Sequence, residues 1–250
     1  MNRYFLEVTY KGNRYAGFQV QDNAITIQGE LQKVLETYFR QPLLLTGSSR
    51  TDAGVHARQN FFHVDTELVL PEKAVYNLNA MLPPDIMLRR FIPVRPDAHS
   101  RFDATAREYE YYIYQEKDPF MDDRAYYLPY KLEEDKLAEA AAVIMQYTDF
   151  TSFSKRNSQV HTFNCSIQHS EWERRGSCLV YKVRSNRFLR GMVRGLVGTM
   201  LKVGREKITI EGLRNIIEAK DCSKADFAVP GHGLFLMRVI YPDGYFEHRL

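Results

Sequence analysis

Cysteine is scarce: Cys165, Cys178 and Cys222 are the only three in 250 residues, and no CxxC spacing occurs. An odd number so scattered supports neither a disulfide framework nor a zinc site, so reduced thiols in a cytoplasmic protein are the expectation. Long apolar runs are missing too. No stretch approaches a signal core or a membrane span, and the opening Met-Asn-Arg-Tyr-Phe-Leu enters a strand-like pattern at once. No membrane partner is expected. An excess of charge is also lacking: +3 overall, with a pI near 8.6, does not by itself argue for nucleic acid. The distribution of charge says more. Between Arg174 and Arg205 there is no Asp or Glu, while Arg174, Arg175, Lys182, Arg184, Arg187, Arg190, Arg194, Lys202 and Arg205 all fall there. A solvated helix face mixes signs, so an acid-free stretch reads as a place for phosphates.

What is present is an ordinary globular composition. At 44% hydrophobic, the chain can form an extensive core in one large or two modest domains. Residues 3–10 alternate as a strand, with Tyr4, Leu6, Val8 and Tyr10 on one side. Thr26 is placed to cap a helix whose Ile27, Leu31, Val34, Leu35 and Tyr38 recur at helical spacing, and Pro42 stops it. Leu43-Leu44-Leu45 has strand length. Residues 59–64 alternate as a half-buried strand, Pro71 opens a helix to about Met81, and residues 86–91 read as a further strand. Pro93, Pro96 and the polar residues 97–101 suggest a crossing, which divides the chain into 1–103 and 104–250. Beyond it come a tyrosine-rich strand at 106–114, a helix at 132–145, a polar basic loop at 151–159, a hairpin around Arg175-Gly176, a helix at 188–203, another at 210–219 and a last strand at 234–240. Strict βαβα alternation is absent, so α+β halves with mainly antiparallel sheets are predicted.

On a helical wheel, Phe188, Leu189, Met192, Val193, Leu196 and Met200 gather on one side. Arg187, Arg190 and Arg194 stand nearly opposite, flanked by Gly191, Gly195 and Gly198. Each glycine inside a helix costs on the order of 1 kcal/mol relative to alanine, so something must approach this backbone closely, whether a ligand or a neighbouring strand.

The chemistry is expected in Gly47-Ser48-Ser49-Arg50-Thr51-Asp52-Ala53-Gly54-Val55-His56. Gly47 and Gly54 can take backbone angles closed to other residues and so present Asp52 rather than bury it. As an ordinary polar turn, this loop would hold Arg50 and Asp52 in a surface ion pair worth little. As a functional loop, it would hold an ionised carboxylate beside a cation, able to attack an electrophilic carbon. His56 and His63 have no second histidine or carboxylate spaced to make a metal site with them, and read as satisfied loop and strand residues.

The loop closely resembles the catalytic loop of TruA-type tRNA pseudouridine synthases. The resemblance continues through Tyr15-Ala-Gly17-Phe-Gln19, Ala106-Arg-Glu-Tyr109-Glu-Tyr111, Asp149-Phe-Thr-Ser-Phe153, Asn186-Arg-Phe188, Met192-Val-Arg194 with Val197-Gly198, and Gly233-Leu-Phe-Leu236. It departs in two places. Many relatives have a histidine pair where this chain has Arg190-Gly191, and an Asn where it has Gly195.

The resemblance implies two sheet-bearing halves joined across a central RNA-binding cleft, and isomerisation of uridine to pseudouridine in the anticodon arm of tRNA without metal or organic cofactor. By position, Asp52 would be the nucleophile and Arg50 would contact RNA. Arg194 would pair with Asp52, Tyr109 would stack on the uracil and assist proton removal from C5, and Leu234 would pack on the far side of the base. Arg187 and Arg190 are expected to bind RNA, and a homodimer is implied. A stacked uridine must flip out to be reached, and a flipped base needs aromatic or apolar walls. Two rivals remain open. One is a catalytically silent RNA-binding protein of the same fold. The other is a glycoside hydrolase with Asp65 or Asp103 as its second carboxylate.

Overall fold

The computed structural model describes residues 1–156 and 160–247. It divides into two compact units, Met1–Thr105 with Phe235–Leu250, and Ala106–Leu234. The predicted helices and strands recur as mixed α+β structure in which antiparallel pairing predominates.

In the first unit, β1 (Asn2–Tyr10) lies between β3 (His56–Thr66) and β4 (Ile86–Val94), antiparallel to both. Phe5, Leu6 and Val8 are all fully buried, so both faces of β1 are covered, not one. The reason is long-range: Phe5 packs with Phe61, Tyr241, Tyr245 and Phe246 at 5.7–6.3 Å between ring centroids, so the end of the chain covers the face the alternation left open. The same cover explains why Asn60, Phe61, Phe62, His63 and Val64 are buried without alternation in β3.

Helix α1 (Ile27–Phe39) starts as predicted, with the Thr26 hydroxyl accepting from the Gly29 amide at 3.2 Å, a cap worth about 1 kcal/mol. The leucine run at 43–45 is not a strand; only β2 (Thr46–Gly47) pairs there, against β3, and Leu44 is exposed. Helix α2 (Ala74–Met81) follows Pro71 after one turn. The expected break at Pro93 does not occur: Pro93 pairs with Tyr4 inside β4. Because β4 is an edge strand, a residue without an N–H is tolerated there. The last strand, β9 (Leu234–Ile240), pairs in parallel with β3 through His56↔Phe235 and Ala57↔Leu236.

In the second unit β5 (Ala106–Tyr114) pairs with β8 (Cys178–Ser185), which pairs with β7 (Ile167–Arg175), all antiparallel; the short β6 (Tyr126–Tyr127) adds in parallel to β5. Gly176, at φ 60°, closes the β7–β8 hairpin where predicted. Helix α3 (Glu134–Ile144) packs on β7, on α4 (Met192–Gly204) and on α5 (Ile210–Glu218). In the expected loop at 151–159, Thr151–Phe153 form a 3-10 turn, and residues 157–159 lie outside the described residues.

Helix α4 corrects the sequence reading. It begins at Met192, not Phe188, so Arg187 and Arg190 do not form a helical stripe with Arg194. Gly191 caps it at φ 74°. Before it, the Asn186 side chain accepts from the amides of Arg187 and Ser166, and the Arg190 carbonyl accepts from the Lys155 amide at 3.0 Å, which holds the segment as a loop. The close approach expected at the glycines is made by the protein's own residues 226 and 227. A Cβ on Gly198 would stand 2.2 Å from the Asp226 carbonyl oxygen, and one on Gly195 would stand 2.8 Å from the Phe227 ring. Phe227 therefore fills the space that a side chain at position 195 would need, and the positive φ of Gly191 accounts for glycine there.

Candidate active site

Asp52 is half-buried at the tip of a loop that is held from every side. The Ser48 amide donates to Phe61 O at 2.8 Å, the Asn60 side chain donates to Ser49 O at 2.8 Å, and the Tyr10 and Thr51 hydroxyls share a bond of 2.8 Å. Thr51 O accepts from the Phe18 amide, and Asp52 O from Val55 N. Ser48, Ser49, Thr51 and Val55 are buried, whereas Arg50 is exposed. Gly54 takes φ 78° as expected, but Gly47 owes its identity to space: a Cβ there would meet the Phe18 ring at 2.2 Å. Phe18 in turn stacks on Phe62, with centroids 4.5 Å apart and planes within 10°. Gly12 has the same kind of role, since a Cβ would lie 2.1 Å from Val55 O. Reading the sequence missed Tyr10, Gly12 and Asn60. Tyr10 and Gly12 are far from the loop along the chain, and for Asn60 the signal available was a polar residue inside an apolar strand.

The histidines are satisfied. His56 Nδ1 accepts from the Gly12 amide at 3.1 Å, and its ring stacks on Phe235 at 4.4 Å. His63 Nδ1 lies 2.9 Å from the Ser100 hydroxyl. Burial, helped by neighbouring His99 and Arg3, lowers the His63 pKa to about 4. Below the ordinary value of 6.5 the unfolded chain takes up a proton that the folded one refuses, so stability falls as pH drops from about 6.5 to about 4, by on the order of 2–3 kcal/mol. Urea midpoints are expected to decline over that window and His63→Gln to flatten the decline; parallel curves for the two proteins would refute the assignment. Among the described residues no group of three His, Cys, Asp or Glu could hold a metal ion.

The second carboxylates that a glycosidase would need are committed elsewhere. Asp65 takes both forks of Arg3 at 2.6 Å, and that hydrogen bond holds it below the usual carboxylate range. Burial raises Asp103, but the Tyr245 hydroxyl, the His99 amide and Arg95 outweigh it and leave its pKa low. Neither has the raised pKa of a general acid.

Tyr109, Arg194 and Leu234 belong to the second unit. Tyr109 is mostly buried on β5 and meets the edge of Phe188, 5.1 Å away. Arg194, in the first turn of α4, donates from Nε to Val229 O at 2.8 Å and from Nη2 to Phe227 O at 3.3 Å, which fixes the plane of its guanidinium. Leu234 is 6% exposed at the start of β9.

The acid-free stretch is less available than its sequence suggests. Arg184 pairs with Glu108 at 2.6 Å, Arg175 with Glu110 and Glu173, Lys182 with Glu173 at 2.7 Å, Arg174 with Glu134 at 2.5 Å, and Lys202 with Asp226 at 3.2 Å. Most of these acids stand on β5 and β7, the strands on either side of β8, where no local reading of residues 174–205 finds them. Arg187 and Arg190 are in no ion pair among the described residues; Arg190 is exposed, and the Lys155 stem lies about 3 Å from where a Cβ on Gly191 would be.

A family model described as tRNA pseudouridine synthase matches residues 147–242, which takes in α4, β9 and the carbonyls that hold Arg194. Over nearly its whole length the chain is similar to proteins described as tRNA pseudouridine synthase A. That of Parabacteroides distasonis is 46% identical over 252 residues, 98% of each chain. That of Bacteroides thetaiotaomicron is 46% identical over 99% of this chain and 93% of its own, and that of Porphyromonas gingivalis 42% over 98% and 100%. These alignments span the Asp52 loop, which the family model does not reach. The family match and these relatives thus define a pseudouridine synthase, an enzyme of the isomerase class. The chain belongs to the tRNA pseudouridine synthase A family.

Proposed function

We propose that this chain isomerises uridine to pseudouridine in the anticodon stem-loop of tRNA, with Asp52 as the nucleophile. The observation that carries the reading is the loop itself, a carboxylate at the tip of a turn whose neighbours are buried and hydrogen-bonded. A nucleophile placed in advance loses little on binding its substrate, because the positional entropy has been removed during folding. Asp52 breaks the C–N glycosidic bond, by attack on the anomeric carbon or by assisting a glycal. The freed uracil turns over and bonds through C5.

Arg194 has the role of keeping the carboxylate ionised and aimed, its guanidinium plane being fixed by the carbonyls of residues 227 and 229. Tyr109 stacks on the flipped uracil and serves in removal of the C5 proton, and Leu234 forms the apolar wall on its far side. Arg50, exposed on the loop, contacts RNA, and Arg187 and Arg190 reach phosphate. The protein acts in the cytoplasm as a homodimer. None of the described helices is long and apolar enough to cross a membrane.

Incubation of unmodified tRNA with the purified protein, followed by chemical mapping of pseudouridine, tests this directly. Modification confined to the anticodon arm is expected, and modification elsewhere or none at all would overturn it. Every step is assigned to a side chain, so activity is expected to survive exhaustive EDTA treatment. Activity lost to EDTA and regained with Zn²⁺ or Mg²⁺, on tRNA shown to remain folded, would refute the metal-free mechanism.

A further inference from the structure

We propose that a pocket beside the catalytic loop, bordered by Arg50 and Phe102, holds one nucleotide of the RNA other than the target uridine. Its phosphate would lie against Arg50 and Arg101 and its base against the Phe102 ring. The inference rests on the reading of the substrate as RNA, and it adds a subsite that the isomerisation chemistry does not require.

Three observations carry it. The first is the cavity: about 290 Å³, with Phe18, Leu45, Arg50, His99, Arg101 and Phe102 among the residues that line it. That is just below the ~300–1,000 Å³ typical of small-ligand pockets, a size for a single nucleotide and not for a helical arm. The second is the presentation of Phe102. It is 73% exposed, yet it stands on one of the most firmly tied turns in the unit. Next to it, the Ser100 hydroxyl donates to Thr46 O at 3.1 Å, and Ser100 O accepts from the Tyr241 hydroxyl at 2.5 Å. His99 and Asp103 exchange bonds of 3.0 and 3.1 Å, and His99 Nδ1 accepts from the amides of both Arg101 and Phe102. An aromatic ring kept in water on a rigid turn forgoes burial, and base stacking is a use that suits it, since every base has a π-face.

The third observation is charge. The Arg101 guanidinium lies 5.6 Å from the Phe102 centroid, and Arg50 lines the same pocket, so two cations and an aromatic ring share one cavity. His99 adds no charge of its own, because burial lowers its pKa and leaves the ring neutral near pH 7, and it packs on Phe102 with centroids 4.2 Å apart. Cation and aromatic side by side form the pattern by which a single-stranded nucleotide is held: phosphate by the guanidinium, base by the ring. Arg50 follows Ser49, whose carbonyl Asn60 holds, so a nucleotide seated here is fixed relative to the loop that carries Asp52. Occupancy would set which base along the strand is offered to the nucleophile.

The test is equilibrium binding of a substrate tRNA across a salt series, by the full-length protein and by Phe102→Ala, Phe102→Tyr and Arg101→Ala. Phe102→Ala should weaken binding about tenfold or more with an unchanged salt slope, and Phe102→Tyr should bind within about twofold of wild type. Arg101→Ala should reduce the magnitude of the slope by about 0.7–0.9. Single abasic substitutions along the tRNA then locate the nucleotide. One non-target position should cost wild type about tenfold in affinity and cost Phe102→Ala less than about twofold. If Phe102→Ala and Arg101→Ala bind as wild type does, or no abasic position couples to Phe102, the subsite is refuted. Failure of the protein to form pseudouridine would instead refute the functional reading, and because the binding measurements need no turnover, the two failures are distinguishable.

Discussion

Asp52→Asn is expected to abolish pseudouridine formation, by at least about a thousandfold, while the protein stays folded and keeps most of its affinity for tRNA. The amide matches the carboxylate in shape but is a poor nucleophile, and it removes one negative charge without emptying any space. The loop should tolerate the change because its shape comes from other groups. Tyr10 and Thr51 hold one side, Asn60 holds Ser49 O, and the Gly12 and Gly54 positions fix the turn. Thermal unfolding and tRNA binding would therefore serve as internal controls for the activity assay. Formation of pseudouridine by purified Asp52→Asn within tenfold of wild type would remove this residue from the nucleophile's role.

The second large effect is expected at Arg194→Ala, and it should differ in kind from the effects of Arg187→Ala and Arg190→Ala. Arg194 lies in the first turn of α4 with its guanidinium fixed by Val229 O and Phe227 O, a geometry suited to aiming a partner. Its loss should lower the single-turnover rate at saturating tRNA by about 10²-fold, the scale on which misplacing a reacting group acts. Arg187 and Arg190 sit before Gly191 in a loop, outside the helix, and neither is in an ion pair among the described residues. Removing either guanidinium from its phosphate should raise the apparent dissociation constant and reduce the magnitude of the salt slope by about 0.7–0.9, with little change in the saturated rate. A pure binding defect in Arg194→Ala, with loss of the chemical step in the other two, would reverse these assignments.

Local pattern was legible wherever local physics decided the structure. Thr26 as a cap, Gly176 in its hairpin and the tyrosine strand at 106–114 all stand where propensity and periodicity put them. The pattern misled where a distant segment changed the surroundings. Residues 188–191 have helical periodicity, but the positive φ of Gly191 and the Asn186 cap on the backbone end the pattern before α4 begins. Residues 174–205 look like bare positive charge only until β5 and β7 bring Glu108, Glu110 and Glu173 alongside. Pro93 reads as a break because sequence does not reveal which strand will be at an edge. At the candidate site, the loop around Asp52 could be picked out from its residues, whereas its supports at Tyr10, Gly12 and Asn60 could not. Tyr10 and Gly12 meet the loop only after β1 and β3 have paired, and Asn60 reaches Ser49 only once the chain has turned back on itself.

The parallel pairing of β9 with β3 also bears on how the protein is made. His56 and Phe235 stand far apart along the chain, and Tyr241 and Phe246 cover Phe5 only once they too have left the ribosome. Until then the nascent first unit exposes part of a strand edge and a ring of phenylalanines while the intervening residues are synthesised. Synthesis from the N-terminus therefore delivers the Asp52 loop early together with Tyr10, Gly12 and Asn60, and the Phe235 ring that stacks on His56 late. Pairing between segments so far apart in sequence carries a loop-closure cost, which slows assembly of the first unit.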